Sequence, residues 1–162
     1  MRFMCDQRGS ALVEGAILIP VLFALMFGVY EFSWFFFQQH LVATGLRDAA
    51  RYVARTSAVC DETSATGGAQ HANARNLATT GSIAGGVPRV KGWTPAMVAI
   101  RCSRVVNSAG AAGLKMYRGG NTIYVVTAST LFARPSLGFF GFLGLQPPAI
   151  SVSHSERVIG PG

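Results

Sequence analysis

The first forty residues hold a long apolar stretch that is almost free of charge. Gly15–Tyr30 contains no charged residue, and after Glu31 an aromatic-rich run continues to Phe37. As a helix, the segment from Glu14 to Phe37 would be about 36 Å long, which exceeds a hydrocarbon core of about 30 Å. The pattern therefore predicts a membrane-spanning helix within residues 10–40. A buried core helix is the alternative, and it would need a large domain to surround it.

Beyond residue 40, the chain has the pattern of one small α+β domain, residues 41–162. Apolar residues at helical spacing predict one long helix from near Ala11 to near Ser57, and a short helical pattern covers Ala69–Thr80. Three later segments are rich in β-branched residues and alternate in part, which predicts strands. An antiparallel sheet of three or four strands is expected from the segments Met97–Val106, Thr122–Thr130 and Ile150–Ile159.

The junction before the apolar helix combines a short basic leader, a glycine and an acidic residue. Gly9 ends the leader, and Glu14 stands five residues later inside the apolar pattern. A carboxylate near a bilayer centre costs roughly 2.5–3.5 kcal/mol, so such a residue normally has a partner. Cleavage after Gly9 would create an amine on Ser10 that could neutralise Glu14 of the same or a neighbouring subunit. Solvation of Glu14 at the membrane interface is the alternative.

The Gly9-to-Glu14 spacing resembles the processing site of type IV prepilins, in which glycine precedes the cut and glutamate is the fifth mature residue. Residues 1–9 would then be the leader. The wider stretch RGSALVEGAILIPVLFALMFGVYEFSWFFFQQHLVATGLRDAARYVA resembles the TadE family of the tight-adherence pilus machinery. The features that carry this resemblance are the Gly9-Ser10 junction, Glu14, Ile19-Pro20, Glu31-Phe32 and Ala49-Ala50-Arg51-Tyr52.

The resemblance implies a minor pilin-like (pseudopilin) subunit of a tight-adherence type IV pilus. Two departures from the major pilins favour a minor subunit. Gly15 follows Glu14 where the major pilins usually carry tyrosine, and the chain is far longer than those pilins. A prepilin peptidase would cut between Gly9 and Ser10, and Glu14 would serve subunit assembly. The expected partners are other pilin-like subunits, the inner-membrane assembly platform and the lipid bilayer.

The same resemblance implies a single-pass protein of the inner membrane whose C-terminal domain is periplasmic or extracellular. A permanently membrane-anchored envelope binding module, never incorporated into a filament, is the alternative. The two alternatives differ in processing, because an anchor does not need its leader removed.

Loss of the leader would remove Cys5 and leave Cys60 and Cys102. An even cysteine pair in an exported domain predicts a disulfide. On the strand pattern, Cys102 shares a face with Val98 and Ile100, which is expected to be the inward face. Two buried free thiols are the alternative.

The segment Leu137–Leu145, LGFFGFLGL, is unusually apolar for a connection between strands. Its phenylalanines Phe139, Phe140 and Phe142 are candidates for contact with the membrane or a partner subunit. A connection folded across the sheet to complete a small core is the alternative.

Composition and charge argue against several classes of function. The chain is 50% hydrophobic and 13% charged, with a net charge of +7. Its histidines, His40, His71 and His154, lack metal-ligand spacing, and the sequence has neither a phosphate-binding loop nor a nucleophile elbow. We therefore expect no enzymatic activity, no catalytic residue, no metal and no cofactor. Because no aromatic and basic residues interleave, nucleic acid is not an expected partner either.

Overall fold

A computed structural model describes residues 7–56, 60, 65–110, 113–118, 120–133, 138, 141 and 144–159. Helix α1 (Gln7–Ala54) is followed by helix α2 (Ala65–Thr80) and a short 3₁₀ helix (Pro95–Met97). Strands β1 (Val98–Val106), β2 (Thr122–Phe132) and β3 (Ile150–Arg157) complete the order. The α+β prediction is confirmed, with α1 and α2 each starting about four residues earlier than the patterns indicated.

The described strands form an antiparallel sheet in the order β1-β2-β3, so β2 is central. Strict alternation on β2 points one set of side chains towards the helices. This inward set is buried and consists of Val126, Ala128, Thr130 and Phe132. The cross-strand partners Ile100 and Ile150 extend the same apolar face onto the two edge strands.

Helix α1 is one continuous helix of 48 residues with two different surroundings. Every large apolar side chain between Leu12 and Tyr30 is exposed. In the C-terminal part, one face is fully buried against α2 and the sheet, at Val42, Leu46, Ala49, Ala50 and Val53. The helix is therefore both the apolar N-terminal segment and the central element of the domain core.

Helices α1 and α2 approach each other closely at Gly45. A Cβ built on Gly45 would collide with the carbonyl oxygen of Ala78 and lie 3.0 Å from the ring of Trp93. Ala74 and Ala78 supply the small surface of α2 at this crossing. Glycine lowers helix propensity, but here it allows two backbones to pack together.

Replacing Gly45 with alanine should destabilise the domain by about 1–3 kcal/mol, because α2 must move away from α1. Alanine's higher helix propensity offsets only part of this cost. Urea unfolding of the purified protein measures the change. Gly28→Ala is the matched control on α1, where a Cβ would meet nothing within 4 Å. Equal stability of the two variants would contradict the tight crossing.

Buried polar side chains organise the loops around the sheet. The indole N–H of Trp93 donates to the Thr130 hydroxyl over 3.1 Å, and that hydroxyl donates to the Met97 carbonyl over 2.8 Å. Asn107 is 2% exposed and its amide bonds the backbone of Tyr117 and Gly120. These bonds hold the loop before β1 and the β1-β2 connection in place, since a buried amide or hydroxyl needs its partners.

Candidate functional site

The predicted processing junction lies inside the first turn of α1. The helix begins at Gln7, so the bond between Gly9 and Ser10 is helical rather than extended. Gly9 is exposed and a Cβ there would meet nothing within 4 Å. Glycine lowers the helix propensity of this turn. Gly9 is thus accessible and lies in a weakly stabilised turn.

Glu14 is exposed on the apolar half of α1, among exposed side chains such as Leu12, Val13 and Leu18. Residues 10 and 14 are one helical turn apart, which places them on the same face. An amine at residue 10 and the Glu14 carboxylate would therefore lie on one stripe of the helix.

A second acidic residue on α1, Glu31, has a different environment. It is 5% exposed although its neighbours Tyr30 and Phe32 are exposed. A Cβ built on Gly138 would lie 3.6 Å from the Glu31 carboxylate oxygen Oε1. Gly138 therefore lies beside α1 at the level of Glu31, near the end of the apolar run. In the sequence, Glu31 was noted only as part of the resemblance to the TadE family, and its burial was not predicted.

The three candidate contact residues Phe139, Phe140 and Phe142 lie outside the described residues. Their predicted contact with membrane or partner stays a prediction. Within the same segment, the described residue Gly138 lies beside Glu31.

Cys60 and Cys102 form a disulfide with a Cα–Cα distance of 5.4 Å, so the predicted pairing is present in the structure. The bond joins the chain after α1 to strand β1. Cys102 is half-buried and packs against the apolar core, in line with its predicted inward orientation.

A basic cleft of about 520 Å³ opens beside this disulfide, between α2 and β1. Its charged and polar wall consists of His71, Arg75, Arg101, Arg104 and Tyr124. Sequence reasoning did not group these residues, because His71 and Arg75 lie on a helix and the others are spread over two strands. In the sequence, the positive net charge was the only sign of a basic surface.

Other titratable residues do not form a larger constellation in the part of the chain that the structure describes. His154 and Glu156 approach to 3.4 Å on β3, as their spacing in the strand allows. Arg89 pairs with Asp48 at 2.7 Å and fastens the loop after α2 to α1. Among the described residues, no group of three or more His, Cys, Asp or Glu could hold a metal ion.

The apolar half of α1 is long and apolar enough to cross a membrane, and none of its most apolar window is buried in the protein. No curated protein and no solved structure matches the chain. Residues 9–51 match the family model described as TadE-like protein. This match begins at Gly9 and covers Glu14, Glu31 and the first buried residues of the domain. The TadE-like resemblance is thereby confirmed over these residues.

Proposed function

We propose that the chain is a minor pilin-like (pseudopilin) subunit for assembly of a tight-adherence type IV pilus. The observation that carries this proposal is the division of α1. Its N-terminal part exposes apolar side chains all round, while its C-terminal part is the core helix of the domain. An apolar helix exposed on every side must be covered by lipid or by other helices. A pilin-like subunit needs both environments, first lipid and then a bundle of copies.

Processing is proposed between Gly9 and Ser10 by a prepilin peptidase. A protease binds its substrate in an extended form, so the first turn of α1 must unwind. Because Gly9 lowers the helix propensity of this turn, unwinding costs less here than in a turn without glycine. Removal of the leader also removes Arg2 and Arg8, which would otherwise hold the helix end in the cytoplasmic interface.

Glu14 is proposed to guide incorporation. When the exposed half of α1 enters a bundle of apolar helices, the Glu14 carboxylate leaves water. The new amine on Ser10 of a neighbouring subunit then supplies the opposite charge. A buried charge without such a partner would be strongly destabilising, so the pair favours one axial register between subunits.

The proposed location is the inner membrane, with a single span and the domain in the periplasm or outside the cell. The Cys60–Cys102 disulfide supports this orientation, because such bonds persist in oxidising compartments. Proposed partners are the prepilin peptidase, other pilin-like subunits, the inner-membrane assembly platform and the bilayer. Enzymatic activity and nucleic-acid binding are not part of the proposal.

Replacing Glu14 with leucine should leave cleavage intact but lower incorporation into the pilus about ten- to a hundredfold. A charge-assisted pair contributes roughly 1.5–3 kcal/mol, and each 1.4 kcal/mol is a factor of ten. The mature N-terminus, determined by mass spectrometry, reports cleavage. The amount of the subunit in sheared pili reports incorporation.

Val13→Leu is the matched control, since it alters the adjacent exposed position without removing a charge. It should be cleaved and incorporated as the wild type. Incorporation of Glu14→Leu at the wild-type level would contradict the charge-pairing mechanism.

A permanently anchored envelope binding module is the second candidate, and the basic cleft beside the disulfide is the observation that favours it. The mature N-terminus separates the two candidates. A protein that retains Met1 in its working form is an anchor, and one that begins at Ser10 is a processed subunit.

A further inference from the structure

The basic cleft lies along β1, which is an edge strand of the sheet. Strand β1 pairs with β2 on one side, so its other edge is open in the described part of the chain. Residues Ala99–Cys102 of β1 line the cleft together with Arg104, so the cleft follows this strand. Arg75 of α2 lines it as well.

The cations of the cleft have no described carboxylate beside them. Four acidic residues lie in the described part of the chain. Asp48 is bonded to Arg89, and Glu156 lies by His154. Glu14 and Glu31 belong to the apolar part of α1. In the described residues, Arg75, Arg101 and Arg104 therefore concentrate three positive charges without a neutralising acid.

Guanidinium groups are suited to oxyanions. Each presents a planar fork of N–H donors that matches two oxygens of a phosphate or carboxylate. Tyr124 stands directly opposite Arg104 in the β1-β2 register, is 42% exposed and also lines the cleft. We propose that this cleft is a binding site for a multivalent phosphate-type oxyanion. The site is independent of the proposed assembly role.

The position of the cleft argues against lipid headgroups of the protein's own membrane as the source of that phosphate. The Tyr124 carbonyl accepts from the N–H of Val158, and the N–H of Ile159 donates to the Ala54 carbonyl. These bonds place the Tyr124 end of the cleft beside the C-terminal end of α1. Ala54 lies seventeen residues, or about 25 Å of helix, beyond Phe37, where the apolar run ends. The expected ligand is therefore a soluble or polymer-borne phosphate.

Tripolyphosphate is the probe for this site. The full chain, in nanodiscs of zwitterionic lipid, is titrated by calorimetry at 0.15 M salt. The triple variant Arg75→Gln/Arg101→Gln/Arg104→Gln should bind at least tenfold more weakly than the wild type. Near-UV circular dichroism checks that the variant keeps its packed core.

The matched control is Arg47→Gln/Arg51→Gln/Arg55→Gln, which removes the same charge from an exposed face of α1 and the turn after it. It should bind within about twofold of the wild type. Equal losses in both triple variants would show attraction to net charge alone and would overturn the site. Absence of binding by the wild type would overturn it as well.

A second pair of variants tests whether acidic side chains of the chain itself fill the cleft. Asp61 and Glu62 follow Cys60 in the chain and lie outside the described residues. If they filled the cleft, Asp61→Asn/Glu62→Gln would bind tripolyphosphate much more tightly than the wild type, which would overturn the proposal. We expect a change below about twofold.

In nanodiscs with anionic lipid, affinity should also stay unchanged. The screening length at this salt is about 8 Å, far less than the height of the cleft above the apolar run. A large loss of affinity caused by anionic lipid would show that headgroups occupy the cleft and would overturn the proposed source. Neither result bears on cleavage after Gly9, so failure of this site and failure of the pilin-like assignment are distinguishable.

Discussion

A Gly9→Arg variant is expected to remain in the membrane at full length, with its domain folded and with no subunit in the pilus. Gly9 is exposed at the helical junction and has no side chain to hinder approach of a protease. A long cation at this position fills the space that the cleavage site needs. It also adds a charge that anchors the helix end in the interface. Immunoblotting distinguishes the uncut from the cut form, and sheared pili report assembly.

Gln7→Arg is the control for the added charge, because it places the same side chain in the leader and leaves the junction intact. It should be cleaved and assembled as the wild type. Normal assembly of the uncut Gly9→Arg protein would contradict the pilin-like proposal and favour the permanently anchored module.

Removal of the disulfide should have the largest effect on the stability of the domain. The bond spans a sequence separation of 42 residues, for which chain entropy alone gives a stabilisation of about 4 kcal/mol. We expect Cys60→Ser/Cys102→Ser to lose roughly 2–4 kcal/mol in urea unfolding at neutral pH. The native structure itself should persist, since the core of α1, α2 and β2 does not include Cys60.

The matched control is Cys5→Ser, which removes a thiol from the predicted leader and should leave the unfolding curve unchanged. Adding reductant to the wild type should reproduce the double-serine curve. Identical stability of oxidised wild type and double variant would show that the bond contributes nothing to the folded state. In cells, two alkylatable thiols on freshly isolated protein would place the domain in a reducing compartment and contradict the exported orientation.

The disulfide and the basic cleft occupy the same end of the domain, opposite the apolar half of α1. The bond fixes β1 relative to the chain that leaves α1, and β1 carries two of the three cleft arginines. Reduction should therefore loosen the arrangement of the cleft as well as lower stability. The core around Gly45 and Trp93 lies nearer the middle of α1 and should be less affected.

Local periodicity in the sequence was enough to predict α1, α2, three strands and the α+β class. Each of these depends on the spacing of apolar residues within one segment, which is a property of neighbours in the chain. Two further features could be recognised from the sequence, because each needs only a few residue types at given positions. They are the Gly9-to-Glu14 spacing and the pair of Cys60 and Cys102. The helix starts differed by about one turn, since end residues are held by weak local interactions.

Contacts between distant segments were decided only by the tertiary structure. Gly45 looked like a weak point in a helix, yet it is where α1 and α2 pack against each other. Glu31 is buried, and Gly138, which is far along the sequence, lies beside it. The basic cleft joins Arg75 to Arg101 and Arg104 across a helix and an edge strand. Sequence periodicity does not predict such contacts between distant segments, because they depend on how the elements pack against one another and not on the pattern within any one element.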